Sequence, residues 1–146
     1  MTRTLTHDVL AHTTVREAMQ LGLFECDAAT DLPTLGQMMA EKAIHGVVVA
    51  GVERRDHNGK PLEWGIVSDL DLMRGLESGR DAVTAGDLAA PELLVVKPDD
   101  TLEHAVRLMV EHEATHVIVA SPDTGLPAGM LSTLDIARAV SRNRAG

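Results

Sequence analysis

Two stretches of the chain place apolar residues at three- and four-residue steps. Leu32, Leu35, Met39 and Ala43 form one stripe and Leu102, Ala105, Val106 and Met109 the other, so each predicts a helix with one buried face. Asp31 and Thr101 stand where an N-cap belongs, and Pro33 is tolerated in a first turn. A β-branched run follows each helix, Val47 to Ala50 and Val117 to Ala120, too short for a helix and suited to a buried strand. Gly65 to Val67 and Gly129 to Leu131 are predicted as their hairpin partners. Each half therefore reads as short strand, helix, strand, hairpin, strand, helix. The segment from Ala137 gives way to Ser141-Arg142-Asn143-Arg144-Ala145-Gly146, which predicts a last helix that frays.

The two halves are copies. A shift of 70 positions pairs Thr14 with Thr84, Leu32 with Leu102, Met39 with Met109, and Val47-Val48-Val49 with Val117-Ile118-Val119. Further along the shift is 64, pairing Gly65-Ile66-Val67-Ser68-Asp69-Leu70-Asp71 with Gly129-Met130-Leu131-Ser132-Thr133-Leu134-Asp135. The six extra residues of the first copy fall between Gly51 and Glu63, where Asn58-Gly59 signals a hairpin turn, and are expected in a surface loop. Residues 1–12 read as an N-terminal arm, 13–78 as the first motif and 79–146 as the second. Neither copy has enough sheet or helix surface to cover a core, whereas two packed sheet to sheet would.

Composition narrows the partners. Phe24 and Trp64 are the only aromatic residues, so the core is aliphatic and methionine-rich. The net charge of −9 disfavours nucleic acid and anionic membranes. The N-terminus lacks the apolar core of a signal peptide, and no run is long enough to span a bilayer, which predicts a cytoplasmic protein. Cys26 is the single cysteine and reads as a small buried hydrophobe.

The candidate chemistry lies in the Gly-apolar-apolar-Ser-x-x-Asp segments. Ser68 and Ser132 fall where a strand hands over to a helix, with Asp71 and Asp135 one turn later. A helix N-terminus offers free N–H groups to phosphate, and a carboxylate can accept from both hydroxyls of a ribose. The same Ser-x-x-Asp spacing also makes a helix-capping box, and both readings stand. Arg74 and Arg138 follow each Asp by three residues, as phosphate contacts or as partners of Asp71 and Asp135.

The doubled motif, set behind the runs at Val47 and Val117, resembles the cystathionine-β-synthase (CBS) domain family over nearly all of Thr13 to Val140. Val48 and Ile118 stand where the family often has proline. The resemblance implies an α/β (α+β) fold of two tandem β-α-β-β-α motifs packed sheet to sheet into one pseudo-twofold disc. It implies no catalysis and no required cofactor, but a regulatory module that senses AMP, ADP, ATP or S-adenosylmethionine between the motifs. Two crossed sites are expected. One joins Ser68 and Asp71 to Leu94-Val95-Val96 and His116; the other joins Ser132 and Asp135 to Phe24, Cys26 and His45. Of the two, the site with Asp71 and His116 is expected to be the stronger. A homodimer and a regulated partner protein are also implied. The alternative is a dimerisation module with degenerate ligand sites.

His112-Glu113-Ala114-Thr115-His116 matches the H-E-x-x-H pattern of zinc hydrolases, which needs both histidines on one face of a continuous helix. The repeat puts His112 at a helix end and His116 at the start of a strand, so no metal site is assigned.

Overall fold

The computed structural model of the protein describes residues 2–142, so the tail from Asn143 onward, including part of the segment expected to fray, lies outside the described residues. The backbone runs α1 (Thr2–His12), α2 (Val15–Ala18), β1 (Gln20–Leu21), β2 (Glu25–Asp27), α3 (Leu32–Lys42), β3 (Gly46–Asp56), β4 (Pro61–Ser68), α4 (Asp69–Ser78) and α5 (Ala85–Leu88). It continues through β5 (Glu92–Leu93), β6 (Val95–Val96), α6 (Leu102–His112), β7 (His116–Ala120), β8 (Pro127–Ser132) and α7 (Thr133–Arg142).

The chain divides into two compact units. One is contiguous, Leu23–Leu93; the other joins Met1–Gly22 to Leu94–Gly146. These units do not follow the sequence copies. Each takes its short leading helix from the other copy: α2 belongs with the body of the second copy, and α5 with that of the first. The backbone shows why. Val15 and Arg16 donate to the carbonyls of Asp100 and Pro98, both at 2.8 Å, while Ala85 and Gly86 donate to Thr30 and Ala28 at 2.8 and 2.9 Å. The N–H groups at a helix start have no partner within the helix, and here the turn before the long helix supplies one.

In the contiguous unit, β3 pairs parallel with β2 and β5 and antiparallel with β4. Its core is Leu35, Met39, Val47, Val49, Val67, Leu72, Ala85 and Ala89. Helix α3 starts on the Asp31 side chain, which accepts from the Thr34 N–H, and stops at Ala43, whose φ of 52° ends the helix one position before the predicted stripe does. The six additional residues do not form the expected surface loop. They lengthen β3 and β4 beyond Ala50 and Trp64, past a bulge, into a ribbon on which Val52, Arg54 and Asp56 face inward in alternation. Asp56 closes the turn by accepting from the N–H groups of Asn58 and Lys60.

In the discontinuous unit the sheet order is β1-β8-β7-β6. Its core is Val15, Ala18, Val96, Leu102, Ala105, Leu108, Met109, Val117, Val119 and Leu131. Leu108 fills the place on α6 that the predicted stripe gave to Val106, which is only half-buried. The expected N-terminal arm is the eleven-residue helix α1, with Leu10 packed against this core. Full burial of a side chain such as Leu35 or Leu102 contributes roughly 1.5–3 kcal/mol, so each unit has a substantial apolar basis of its own.

Candidate functional site

Both Ser-x-x-Asp turns form at a strand-to-helix junction. In the contiguous unit Ser68 ends β4 opposite Gly46, and Asp69 donates its N–H to the His45 carbonyl at 2.9 Å. In the discontinuous unit Ser132 ends β8 opposite His116, and Thr133 donates to Thr115 at 2.9 Å. The strand therefore delivers each serine to the cap by ladder pairing.

The capping reading is realised in both. Asp71 N–H donates to Ser68 Oγ at 3.1 Å, and Ser68 N–H donates back to Asp71 Oδ2 at 2.9 Å. Asp135 N–H donates to Ser132 Oγ at 3.2 Å, while the Ser132 N–H and hydroxyl reach Asp135 Oδ2 at 2.8 and 3.0 Å. Each box uses one carboxylate oxygen and leaves Oδ1 for something else. Capping and ligand binding are therefore compatible roles for one aspartate.

The two Oδ1 atoms differ. That of Asp71 receives Arg74 Nη1 at 3.3 Å, from an exposed guanidinium. That of Asp135 receives Gln20 Nε2 at 2.9 Å, with Arg138 Nη1 at 3.7 Å. The Asp135 side chain is only 4% exposed, whereas that of Asp71 keeps 14%. Both arginines thus take the carboxylate-partner role open to them in sequence.

The other predicted residues are placed as follows. Phe24 precedes β2, is 37% exposed, and carries Lys42 Nζ 5.3 Å from its ring centre. Cys26 is half-buried on β2; burial pushes its thiol pKa up, Asp27 and Glu25 add to this, and a hydrogen bond to Thr30 opposes it. His45 Nδ1 lies 2.9 Å from Asp69 Oδ2, with both side chains exposed. Leu94 accepts the Ile118 N–H at 2.9 Å, matching the contact of Phe24 with the Val48 N–H at 2.8 Å, and Val96 is buried in the core.

Within each unit the structure gathers Phe24, Cys26, His45, Ser68, Asp71 and Arg74 on the one hand, and Leu94, Val96, His116, Ser132, Asp135 and Arg138 on the other. The crossed grouping joins members of different units. Gln20 was missed by sequence reasoning; its only advance signal is that the register pairing Thr14 with Thr84 sets it against Ala90.

The H-E-x-x-H segment spans a helix end and a strand start. Helix α6 stops at His112, Glu113 adopts φ 52°, and His116 opens β7. Among the described residues there is no group of three or more His, Cys, Asp and Glu side chains placed to hold a metal ion, and no helix is long and apolar enough to cross a membrane.

Residues 85–142 match the family model described as CBS domain. Hypoxic response protein 1 of Mycobacterium tuberculosis is 29% identical over 129 residues, covering 86% of this chain and 84% of that protein. The crystal structure of Hypoxic Response Protein I with two coordinated zinc ions aligns with a TM-score of 0.66 at 28% identity, over 86% of this chain and 98% of that one. The structure of CBSX2 in complex with AMP gives 0.66 at 27% identity, over 90% and 98%. The CBS domain pair of MJ0100 with 5'-methylthioadenosine and S-adenosyl-L-methionine shares the fold, with a TM-score of 0.72 at 16% identity over 89% and 97%.

Proposed function

We propose that this chain, a CBS-domain protein with a tandem α/β pair of motifs, is a regulatory module that binds an adenosine-containing ligand: AMP, ADP, ATP or S-adenosylmethionine. The observation that carries the reading is the doubled strand-to-helix turn in which an aspartate uses one oxygen to cap and presents the other one turn inside the helix. That oxygen can accept from a ribose, and the first-turn N–H groups suit phosphate. CBSX2 in complex with AMP, at 27% identity, supports adenosine as the shared chemistry. Ser68 and Asp71 are the proposed ribose and phosphate residues, with Ser132 and Asp135 their counterparts at the second turn, where Gln20 holds the remaining oxygen, and with Arg74 and Arg138 able to swing onto phosphate. Phe24, Cys26, His45, Leu94, Val96 and His116 are proposed for the remaining contacts. No chemical step and no required cofactor is assigned to the chain.

The test is thermal denaturation with each of the four compounds, on wild type, Asp71→Ala and Asp135→Ala. Ligand at a hundred times its dissociation constant adds roughly 2.7 kcal/mol, on the order of 5 to 10 °C at this chain length. The absence of any shift sinks the reading. Shifts that survive both substitutions move the site elsewhere.

A second reading, self-association with degenerate sites, is favoured by α4. Leu70, Met73 and Leu76 are 51–56% exposed on that one helix, an apolar stripe that a second copy would cover. Light scattering of wild type and Leu76→Glu tests it: a dimer in the first and a monomer in the second support it.

A further inference from the structure

We infer that Gln20 is an internal occupant of the Asp135 grip, so that the chain binds one nucleotide, at Asp71, and not two. The inference deepens the adenosine reading and rests on it. Its basis is an asymmetry between otherwise matching turns. At Asp135 the oxygen left over from the capping box is taken by Gln20 Nε2 at 2.9 Å, and the whole residue is 3% exposed. A ligand hydroxyl must displace that amide before it meets the carboxylate. At Asp71 the matching oxygen meets, among the described residues, only the tip of Arg74, an exposed side chain able to turn aside.

Gln20 is held in place by backbone. It pairs with Met130 across the β1–β8 ladder, and Leu21 pairs with Gly129. Gly129 is where β1 comes closest: a Cβ there would lie 2.7 Å from the Gln20 carbonyl oxygen. A glycine in β8 thus lets β1 lie close enough for the glutamine to span to Asp135. The first copy keeps the glycine, as Gly65, but the atoms nearest a Cβ there are the side chains of Ala89, Val52 and Arg54 at 3.2–3.3 Å, not the backbone of a strand like β1. In the repeat register Gln20 corresponds to Ala90, a residue of the contiguous unit whose side chain has no donor. The difference between the two grips therefore reduces to one exposed, replaceable side chain, which belongs to the first copy and lies outside both Ser-x-x-Asp turns.

The experiment is isothermal titration of AMP, ADP, ATP and S-adenosylmethionine into wild type, Asp71→Ala, Gln20→Ala and Gln20→Ala/Asp135→Ala, read as sites per chain. Gln20→Ser serves as a second opening variant, and circular dichroism verifies that each variant is folded. One site in wild type, lost in Asp71→Ala, with two in Gln20→Ala and one in the double variant, is the expected result. Two sites in wild type, one site that survives Asp71→Ala, or no gain on replacing Gln20 overturns the inference. So does loss of binding in Gln20→Ala, which would make the glutamine a ligand contact. No site in wild type but one in Gln20→Ala would support Gln20 as the occupant of the Asp135 grip, and would overturn the single site at Asp71 and with it that aspartate's part in the adenosine reading. No site in any variant removes both.

Discussion

His116 lies directly opposite Ser132 across the β7–β8 ladder, with its Nδ1 3.2 Å from the Thr115 hydroxyl. It stands on a strand beside the α7 cap, while His112 ends α6 after the chain has turned through Glu113. Two imidazoles at a four-residue spacing grip zinc when a helix runs through both, and here it does not. A zinc titration followed by thermal denaturation should therefore give the same shift, whatever its size, in wild type, His112→Ala and His116→Ala. Equal loss of a zinc shift in both single variants would restore the H-E-x-x-H reading.

Asp135 and Asp71 should differ in what they contribute to stability. Removing Asp71 costs about 1 kcal/mol, the usual worth of a cap, since its other partner is a surface arginine whose pairing adds little. Removing Asp135 empties a buried position and strips partners from Ser132 and Gln20, so a cost of about 2–3 kcal/mol is expected. Urea denaturation of the two alanine variants compares them directly. Equal costs would mean that burial adds nothing at Asp135.

Gly129→Ala should destabilise the discontinuous unit by about 1–3 kcal/mol, because the added methyl meets backbone rather than a flexible side chain. The strain falls on β1. Hydrogen exchange should show faster exchange in the β1–β8 ladder than in β7–β8, and uniform acceleration across the sheet would argue against a local effect.

Asp31 and Asp87 predict the acid behaviour. The Thr34 hydroxyl and then its N–H hold the Asp31 carboxyl below its ordinary range, and the Thr84 N–H and then its hydroxyl do the same for Asp87. A depressed folded pKa stabilises above the unfolded value of about 3.9, and that stabilisation is lost as pH falls through the folded value. Urea midpoints of Asp31→Ala and Asp87→Ala should therefore lie below wild type at pH 6 and converge with it in strong acid. A gap that persists unchanged at low pH would show that their charge plays no part.

Cys26 should alkylate slowly. Burial raises its thiol pKa, and Asp27 and Glu25 push the same way, so the thiolate that reacts is scarce near neutrality. Its iodoacetamide rate should fall below that of a free thiol at pH 8 and rise on alkaline titration; a rate at or above the free thiol's would contradict this.

The architecture was legible because it is written twice. Periodicity located α3 and α6, and the β-branched runs located β3 and β7, each within its predicted place. Where only one copy carries a feature, the reading weakened. Helix α1 was missed because Thr2–His12 mixes threonines and histidines with few apolar anchors, and its helix is settled by packing around Val9 and Leu10. The extended ribbon was missed because, of its inward-facing β3 residues, only Val52 is apolar while Arg54 and Asp56 are charged, so no apolar alternation marks it. In the candidate site, Ser68, Asp71, Ser132 and Asp135 were found by spacing, which is local. Gln20 meets Asp135 across 115 positions of sequence, and no local pattern encodes such a contact.

The exchanged short helices bear on how such a chain can be taken apart. Val15 and Ala18 complete a core built from residues beyond Leu94, and Ala85 and Ala89 complete one built from residues before Ser78. A gene cut at the boundary between the repeats, after Ser78, would leave each fragment with a vacant slot and a stray plug. Mixed together, the fragments could trade plugs; alone, each would seek one from a second molecule. The segment Leu23–Leu93 carries both slot and plug, so it is the better piece to excise.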